Sequence, residues 1–246
     1  MKIKRVFVYS CIAIFLFSTY KVVDSYVSSY QNQQVYASVQ EVYNNDVIPK
    51  KSIPPKESNE PIIQEPFESL LDINEDTVGW ISIEDTKIDY PIVQRDDNEY
   101  YLTHDFEQTP SKAGSIFMDF RNASDFTDRH SILYGHHMRD GSMFKGLMAF
   151  RDIEFFEENQ VFSVQSLYEE TRWEIFSAYV TDTTFYYIVT DFDTDEEYLD
   201  FLHELQVRSL HKTDIELSSD DQILTLSTCA YDFNDARFVV HARKIQ

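Results

Sequence analysis

The chain has 246 residues, a formal net charge of −22, and 43% apolar and 15% aromatic residues. These totals supply enough apolar surface for one domain with appendages, or for two small domains, and they exclude a chain that is disordered throughout. The acidic charge argues against nucleic acid as a partner, because phosphates would be repelled and no basic stripe offsets the repulsion.

The N-terminal residues have the pattern of a membrane anchor. Basic residues at positions 2, 4 and 5 precede an apolar stretch from Val6 to about Val23. A helix of that length measures about 27 Å, close to the ~30 Å hydrocarbon core of a bilayer. The basic flank favours a cytoplasmic N-terminus and an extracellular remainder. We therefore predict that residues 1–30 form a cytoplasmic tip and an uncleaved, single-pass signal-anchor in the cell membrane.

A polar segment follows this stretch. Residues 31–66 contain five prolines and cannot bury enough surface to fold alone, so we predict a semi-stiff extracellular linker. A helix over Val35–Val47 that leads into the linker is the alternative. The same region contains Val35-Tyr36-Ala37, which resembles a signal-peptidase site and makes cleavage the alternative to an uncleaved anchor.

The compact domain is predicted to span residues 67–246. Apolar residues at positions 67, 70, 71 and 73 have the spacing of a short amphipathic helix, and later alternation predicts short strands. The predicted strands are two within Trp80–Gln94, then Ser115–Phe120, Ser131–Tyr134, Gln160–Leu167, Arg172–Val180, Ile223–Thr228 and Arg237–Arg243. Two helical segments, Met143–Phe150 and Asp195–Leu205, interrupt them. Many short strands with few helices favour a mainly β fold, a closed and mostly antiparallel barrel.

Several common kinds of site lack their motifs in this sequence. C-x-x-C spacing is absent, as are the glycine-rich motifs G-x-G-x-x-G and G-x-x-x-x-G-K-[ST]. The pair His136-His137 lacks the H-E-x-x-H pattern of a zinc hydrolase. The two cysteines, Cys11 and Cys229, lie in such different surroundings that no disulfide is predicted. The sequence therefore gives no support for a thiolate metal site or for nucleotide chemistry.

One thiol lies at a strand end in the main body of the chain. If the last two predicted strands are antiparallel neighbours, Cys229 ends one and Arg237 begins the next, so both lie at the same rim. An arginine there favours the thiolate and can hold a carbonyl oxygen that gains negative charge. The alternatives are an inert buried thiol and a surface salt bridge from Arg237 to Asp232 or Asp235.

A proton-transfer group is available upstream. His136-His137 follow the predicted strand Ser131–Tyr134 and Gly135, in a polar loop that faces the rim. The unperturbed pKa of histidine, about 6.5, allows proton exchange near neutrality. Only one of the pair is expected to be catalytic, since adjacent residues point apart, and a solvent-exposed loop is the alternative. The other five histidines have no comparable setting: His104, His130, His203, His211 and His241.

These motifs occur together with further stretches that are typical of the same protein family. "TLSTC" (Thr225–Cys229) is followed by Arg237, "YGHH" lies upstream, and "DTVGWISIEDTKIDYPIVQ", "YYLTHDF" and "GSMFKGL" accompany them. The set resembles the sortases, and more narrowly the class B sortases, over nearly the whole extracellular part. The resemblance implies an eight-stranded sortase-type β-barrel with an N-terminal helical segment and a long helix before the cysteine strand. It implies that the catalytic residues are His136, Cys229 and Arg237, with no catalytic role for His137.

The same resemblance implies a function. The chain would be a cysteine transpeptidase, without metal or organic cofactor, that cleaves an N-P-x-T-x-like sorting signal after threonine through a thioester. Its partners would be secreted proteins with a C-terminal sorting signal and an amine of peptidoglycan or of a lipid-linked precursor, at a Gram-positive-type cell surface. We expect Ser227, Thr228 and Tyr187 to line the peptide groove, and period-two alternation puts Ser227 on the face of Cys229.

Two other functions remain open from the sequence alone. A secreted cysteine peptidase or hydrolase would use the same residues with water as the acceptor. A membrane-tethered binding module would keep Cys229 as a structural residue, so that Cys229→Ala would leave its function intact.

Overall fold

A computed structural model describes residues 2–47, 62–182, 184–233 and 235–245. The strands in these ranges are β1 (Thr77–Ser82), β2 (Asp89–Val93), β3 (Ile116–Met118), β4 (His130–Tyr134), β5 (Val161–Ser166), β6 (Glu170–Thr181), β7 (Ile223–Cys229) and β8 (Arg237–Lys244). The α-helices are α1 (Lys2–Val47), α2 (Glu65–Ile73), α3 (Ile153–Glu158) and α4 (Asp195–Val207). Short 3-10 helices cover Tyr100–Leu102 and Phe144–Arg151.

The strands close into one barrel in the order β1-β2-β3-β4-β7-β8-β6-β5. The neighbouring pairs β2–β3 and β4–β7 are parallel, and the others are antiparallel. Each strand overlaps one that the alternation of apolar residues predicts. The prediction of a closed, mostly antiparallel barrel is therefore confirmed, and alternation succeeds because each strand turns one face to the barrel core.

Two apolar layers fix the orientation of the strands that matter most for the site. Leu226 of β7 and Phe238 of β8 are buried inside the barrel. Ile223 and Val239, on the opposite faces of the same strands, are buried on the outside with residues of α4. Since side chains alternate along a strand, odd-numbered residues of β7 and β8 face outward and even-numbered residues face inward.

The predicted helices are observed, with one addition. The segment predicted near Asp195 is α4, whose start is capped by the Thr194 hydroxyl, which accepts a hydrogen bond from the Glu197 N–H. The predicted segment Met143–Phe150 is a 3-10 helix. The helix α3 was not predicted, because its six residues are too few to show a helical period; the Asp152 carboxylate caps it.

The linker prediction fails for residues 31–47, which continue α1 as in the alternative that the sequence left open. The physical reason is packing against the barrel. Tyr36 and Val39 are 3% and 1% exposed, and the Tyr36 hydroxyl donates a hydrogen bond of 2.9 Å to the Gly114 carbonyl. Further along, the Tyr43 ring stacks on Trp80 with 4.0 Å between centroids. The remaining residues of the predicted linker up to 61 lie outside the described ranges.

The first half of α1 has the character of a membrane segment. Its apolar side chains, from Phe7 to Val23, are largely exposed. Among the described residues, Phe7–Asn45 is the one stretch of helix long and apolar enough to cross a membrane, because it contains an 18-residue window with a mean hydropathy of 1.4. A membrane segment near the N-terminus is therefore consistent with the structure.

Candidate active site

Three adjacent strands bring the predicted catalytic residues to one edge of the barrel. The parallel pairing of β4 with β7 sets Tyr134 beside Ser227, and the Gly135 N–H donates a hydrogen bond of 3.2 Å to the Ser227 carbonyl. The antiparallel pairing of β7 with β8 sets Cys229 directly opposite Arg237. Neighbouring strands lie about 4.8 Å apart. The strand ends that carry His136 and Arg237 thus flank the end of the strand that carries Cys229.

Gly135 allows the chain to leave β4 at this edge. A Cβ atom at that position would lie 2.4 Å from Ile116 Cδ1 and 2.8 Å from ring atoms of Phe144. These distances are far below van der Waals contact, so a larger residue would push the following histidines away from β7. The Phe144 N–H in turn donates a hydrogen bond of 3.0 Å to the His136 carbonyl, which fixes the loop after the turn.

The His136 ring is half-buried and held by one hydrogen bond. Its Nε2 lies 2.8 Å from the Leu102 carbonyl oxygen. A carbonyl oxygen only accepts, so Nε2 must carry the hydrogen. In the neutral ring, Nδ1 is then the atom that can take up a proton. The ring therefore has a fixed orientation and one nitrogen available for proton transfer.

The neighbouring His137 has a different partner. Its Nδ1 donates a hydrogen bond of 2.8 Å to the carbonyl of Cys229, and its ring packs against Tyr231 with 4.8 Å between centroids. Burial lowers the pKa of His137, so this ring is neutral at neutral pH. His137 thus holds the peptide group of the cysteine, a positioning contact that the sequence analysis did not foresee.

Two of the three predicted groove residues meet on the outer face of β7. The Tyr187 hydroxyl lies 2.8 Å from Ser227 Oγ, and both side chains are buried. Burial raises the pKa of Tyr187, while the Ser227 hydrogen bond and the charge of Arg237 oppose that rise. Tyr187 is therefore close enough to Arg237 to interact with its charge.

Thr228 does not join this group. It lies between Ser227 and Cys229 on β7, and alternation turns its side chain toward the barrel interior. Thr228 is 2% exposed, and its hydroxyl has no hydrogen-bond partner among the residues that the structure describes. The prediction that the Thr228 side chain lines the groove with Ser227 and Tyr187 therefore conflicts with the strand geometry.

An ion pair holds the segment that carries Tyr187. Arg121 donates two hydrogen bonds of 2.8 Å to the buried Asp119 carboxylate, and a third of 3.1 Å to the Ile188 carbonyl. Burial alone would raise the pKa of Asp119, but the hydrogen bonds from Arg121 hold it below its ordinary value. Asp119 also accepts a hydrogen bond of 2.9 Å from Tyr134 at the end of β4. The pair therefore ties the Tyr187 segment to the strand that precedes His136.

The loop between β7 and β8 has its own anchor. Arg151 donates two hydrogen bonds to the Asp232 carboxylate and lies over the Phe238 ring, 5.3 Å from its centroid. The sequence left open a surface ion pair between Arg237 and Asp232. In the structure Asp232 instead pairs with Arg151. In the described ranges the Arg237 side chain makes one hydrogen bond, of 3.1 Å, to the carbonyl of Ala236. Among these described residues, its remaining donors have no hydrogen-bond partner.

The cysteine itself is free and partly accessible. Cys229 is half-buried and not in a disulfide, and Cys11 is exposed far away on α1. No group of three or more side chains suited to a metal ion occurs among the described residues. The arrangement can therefore support chemistry in which a thiol attacks, an imidazole moves a proton, and a guanidinium faces the developing negative charge.

Comparison with known proteins leads to the family that the sequence motifs resemble. The Sortase domain family model matches residues 81–245. Sortase B of Listeria monocytogenes is 36% identical over 236 residues, which cover 95% of this chain and 93% of the relative. The crystal structure of sortase B from Bacillus anthracis in complex with AAEK2 superposes with a TM-score of 0.78 at 44% identity, covering 88% of this chain and 97% of that one. A Staphylococcus aureus sortase B–substrate complex gives 0.79 at 34% identity, covering 89% and 99%.

The chain belongs to the sortase family, and within it to the class B sortases. Sortases are transpeptidases that anchor proteins to the cell wall. The predicted resemblance, the sortase-type barrel and the class of enzyme are thus confirmed. The likeness extends over the N-terminal helix as well as the barrel, since the relatives are matched over nearly their full length.

Proposed function

We propose that this chain cleaves a sorting signal after threonine through a thioester on Cys229, and then joins the acyl fragment to a cell-wall amine. The observation that supports this most is the register of β4, β7 and β8, which gathers His136, Cys229 and Arg237 at one edge. The Cys229 thiolate attacks the carbonyl carbon of that threonine, and a C–S bond forms. Arg237 donates hydrogen bonds to the oxyanion.

Breakdown of this intermediate requires a proton. His136, whose Nδ1 has taken the proton of the Cys229 thiol, gives it to the departing amine as the C–N bond breaks, and the thioester remains on Cys229. In the second half, an amine attacks the thioester carbonyl and passes its proton to His136. The C–S bond then breaks, and the thiolate of Cys229 returns. The Leu102 carbonyl contact makes Nδ1 of His136 the atom that carries this proton.

The signal is proposed to be of the N-P-x-T-x type and to lie on the outer face of β7. Ser227 and Tyr187 form one wall of that groove, and their hydrogen bond gives the wall a fixed shape. The Thr228 side chain faces the barrel interior and is left out. The secreted substrate then approaches across the segment that Arg121 holds in place.

The first half of α1 supports a proposal for the location of the enzyme. We propose that its first half is an uncleaved signal-anchor, with the basic N-terminus in the cytoplasm and the barrel outside. Such an anchor keeps the enzyme at the membrane surface, where secreted proteins emerge and where cell-wall precursors are found.

The test compares water with an amine as the acceptor. The full chain in detergent is incubated with a signal peptide, with and without triglycine, and the products are separated by mass. Transfer predicts a peptide–triglycine product and faster turnover when the amine is present. A product that is always the free acid, formed at one rate with or without triglycine, would contradict transfer and favour a hydrolase.

A further inference from the structure

The contacts of α1 show which end of the barrel lies nearer to its apolar stretch. Asp24 forms an ion pair of 2.6 Å with Lys112, in the loop that leads into β3. Tyr43, about 29 Å further along the helix at ~1.5 Å per residue, donates a hydrogen bond to Gln165 of β5. The strand directions put the start of β3 at the edge that carries Cys229, whereas β5 runs away from that edge. The Cys229 edge is thus the end of the barrel nearer to the apolar stretch.

The loop between β7 and β8 lies at the level where this apolar stretch ends. Ser25 and Tyr26 of α1 line one side of a cavity, and its other side includes His137 and Tyr231. The apolar stretch ends at about Val23, so these α1 residues begin about 3 Å beyond it, at ~1.5 Å per residue. The headgroup region on each side of the hydrocarbon core is about 5–8 Å thick. With α1 across a bilayer, Tyr231 therefore lies at the depth of the lipid headgroups.

Further contacts fix the barrel at this position along α1. The Ser29 hydroxyl donates a hydrogen bond to the Asp140 carboxylate, and the buried Tyr36 hydroxyl donates one of 2.9 Å to the Gly114 carbonyl. With the ion pair of Asp24, these contacts attach the helix to the barrel at several points along its length. The barrel therefore cannot slide along α1 away from the membrane without breaking them.

The side chains of the loop suit a place between lipid and water. Tyr231 is 72% exposed and Phe233 is 50% exposed. The carboxylate between them, that of Asp232, is paired with Arg151, so no unpaired charge separates the two rings. Tyr26 on α1, across the cavity from Tyr231, is 73% exposed. Tyrosine is enriched at membrane–water interfaces, because its ring is apolar and its hydroxyl reaches polar groups.

We propose that the loop between β7 and β8 is a second membrane contact, in which Tyr231 and Phe233 enter the headgroup layer of the bilayer that α1 crosses. The enzyme then lies with its Cys229 edge against the lipid, and the lipid restrains the loop that joins Cys229 to Arg237. The proposed contact rests on the proposed signal-anchor. Lipid is the partner because this surface continues directly from the membrane segment of α1.

The experiment measures tryptophan fluorescence of the full chain in phosphatidylcholine vesicles. One set of vesicles has ordinary lipid, and the other has lipid brominated in the upper part of the acyl chains, which quenches tryptophan at close contact. The natural Trp80 and Trp173 are buried, so the natural chain supplies the background. Tyr231→Trp and Phe233→Trp each place a reporter in the loop. The matched control is Tyr168→Trp, an exposed position in the turn between β5 and β6, at the other end of the barrel.

A fourth variant, Tyr26→Trp, reports on the anchor itself. Tyr26 lies on α1 just beyond the apolar stretch, so brominated lipid quenches this reporter in an anchored chain wherever the loop lies. A Tyr26→Trp reporter that is not quenched would contradict the proposed signal-anchor, and the loop contact would fall with it.

We expect brominated lipid to lower the fluorescence of both loop reporters by roughly a third to a half, and to leave that of Tyr168→Trp nearly unchanged. If Tyr26→Trp is quenched but neither loop reporter is, the anchor stands and the loop contact is overturned. Quenching of Tyr168→Trp as strong as that of the loop reporters would also overturn the proposal, because the barrel would then have no preferred face toward the lipid.

Discussion

His136 and His137 are neighbours in the chain, yet their rings have different partners. His136 donates through Nε2 to the Leu102 carbonyl, while His137 donates through Nδ1 to the Cys229 carbonyl. Each contact fixes one ring and defines which nitrogen remains open. His136 keeps a nitrogen for proton transfer, and His137 positions the cysteine peptide.

This difference predicts opposite responses to amide substitutions. A glutamine at 136 can reproduce the Nε2 contact but cannot move a proton, so His136→Gln should lower kcat by roughly 10²–10⁴-fold. An asparagine at 137 can reproduce the Nδ1 donor, so His137→Asn should retain most activity and exceed His137→Ala. The measurement is single-turnover acylation by signal peptide. If His137→Asn were as inactive as His136→Gln, the division of roles would be wrong.

Arg237 offers a second test at the same edge. Its planar fork can place two N–H donors on one oxyanion, whereas a lysine supplies a single point charge. Arg237→Ala should lower kcat/KM by roughly 10²–10³-fold, with Arg237→Lys in between. The exposed Arg172→Lys at the far end of the barrel is the control. Full activity of Arg237→Ala would remove this side chain from oxyanion stabilisation.

At the level of strands, a row of buried polar groups crosses β6, β8, β7 and β4 beneath the Tyr187 segment. The Tyr179 hydroxyl is 3.0 Å from His241 Nε2, and His241 Nδ1 is 2.7 Å from Thr225 Oγ1. Thr225 Oγ1 is 2.6 Å from His130 Nε2, and His130 Nδ1 is 2.5 Å from the Val189 carbonyl. Burial lowers the pKa of both histidines, so both rings are neutral near pH 7. Because the Val189 carbonyl only accepts, neutral rings set the direction of every bond: His130 donates to that carbonyl, and each group behind donates to the next.

The row predicts how stability depends on pH. Burial lowers the pKa of His130 to about 4, and burial also lowers that of His241 well below 6.5. The unfolded chain binds these protons near pH 6.5, so it holds more protons than the native state at lower pH. The two neutral histidines should therefore make their whole contribution to the free energy of unfolding above about pH 7. This free energy should fall as the pH drops toward 4, by up to about 1.4 kcal/mol per pH unit for each histidine.

Urea unfolding of the natural chain between pH 7 and 4 measures this slope. The His130→Gln/His241→Gln double variant should give a flatter profile, whereas the control His203→Gln, on the exposed side of α4, should keep the natural slope. An unchanged slope in the double variant would show that other groups control the acid sensitivity.

The docking of α1 on the barrel connects the membrane segment to the enzyme. Tyr36→Phe removes one hydroxyl donor to the Gly114 carbonyl and should lower the free energy of unfolding by about 1 kcal/mol. Tyr36→Ala also removes a buried ring and should lower it by about 3–5 kcal/mol. The exposed Tyr168→Phe is the control, and urea unfolding is the measurement. Equal stability of Tyr36→Ala and the natural chain would mean that α1 does not pack on the barrel in solution.

The parts of the molecule that could be predicted are those with a local signal. Strand alternation located the barrel, and the spacing of Cys229 and Arg237 in a hairpin gave their opposition correctly. The course of residues 31–47 could not be predicted, because Tyr36 and Val39 become buried only through contact with residues far along the chain. The hydrogen bonds from Arg121 to the Tyr187 segment, and those that link the buried groups through His130 and His241, also join residues far apart in the chain. The sequence around each of these two histidines therefore gave no local signal of its partners.

The most direct measurement is the intact mass of the full chain after mixing with a signal peptide in the absence of any amine. We predict a mass increase equal to the peptide fragment that ends in threonine, located on Cys229, removed by hydroxylamine and absent from Cys229→Ala. No adduct on the natural chain, or the same adduct on Cys229→Ala, would contradict a thioester mechanism at this edge of the barrel.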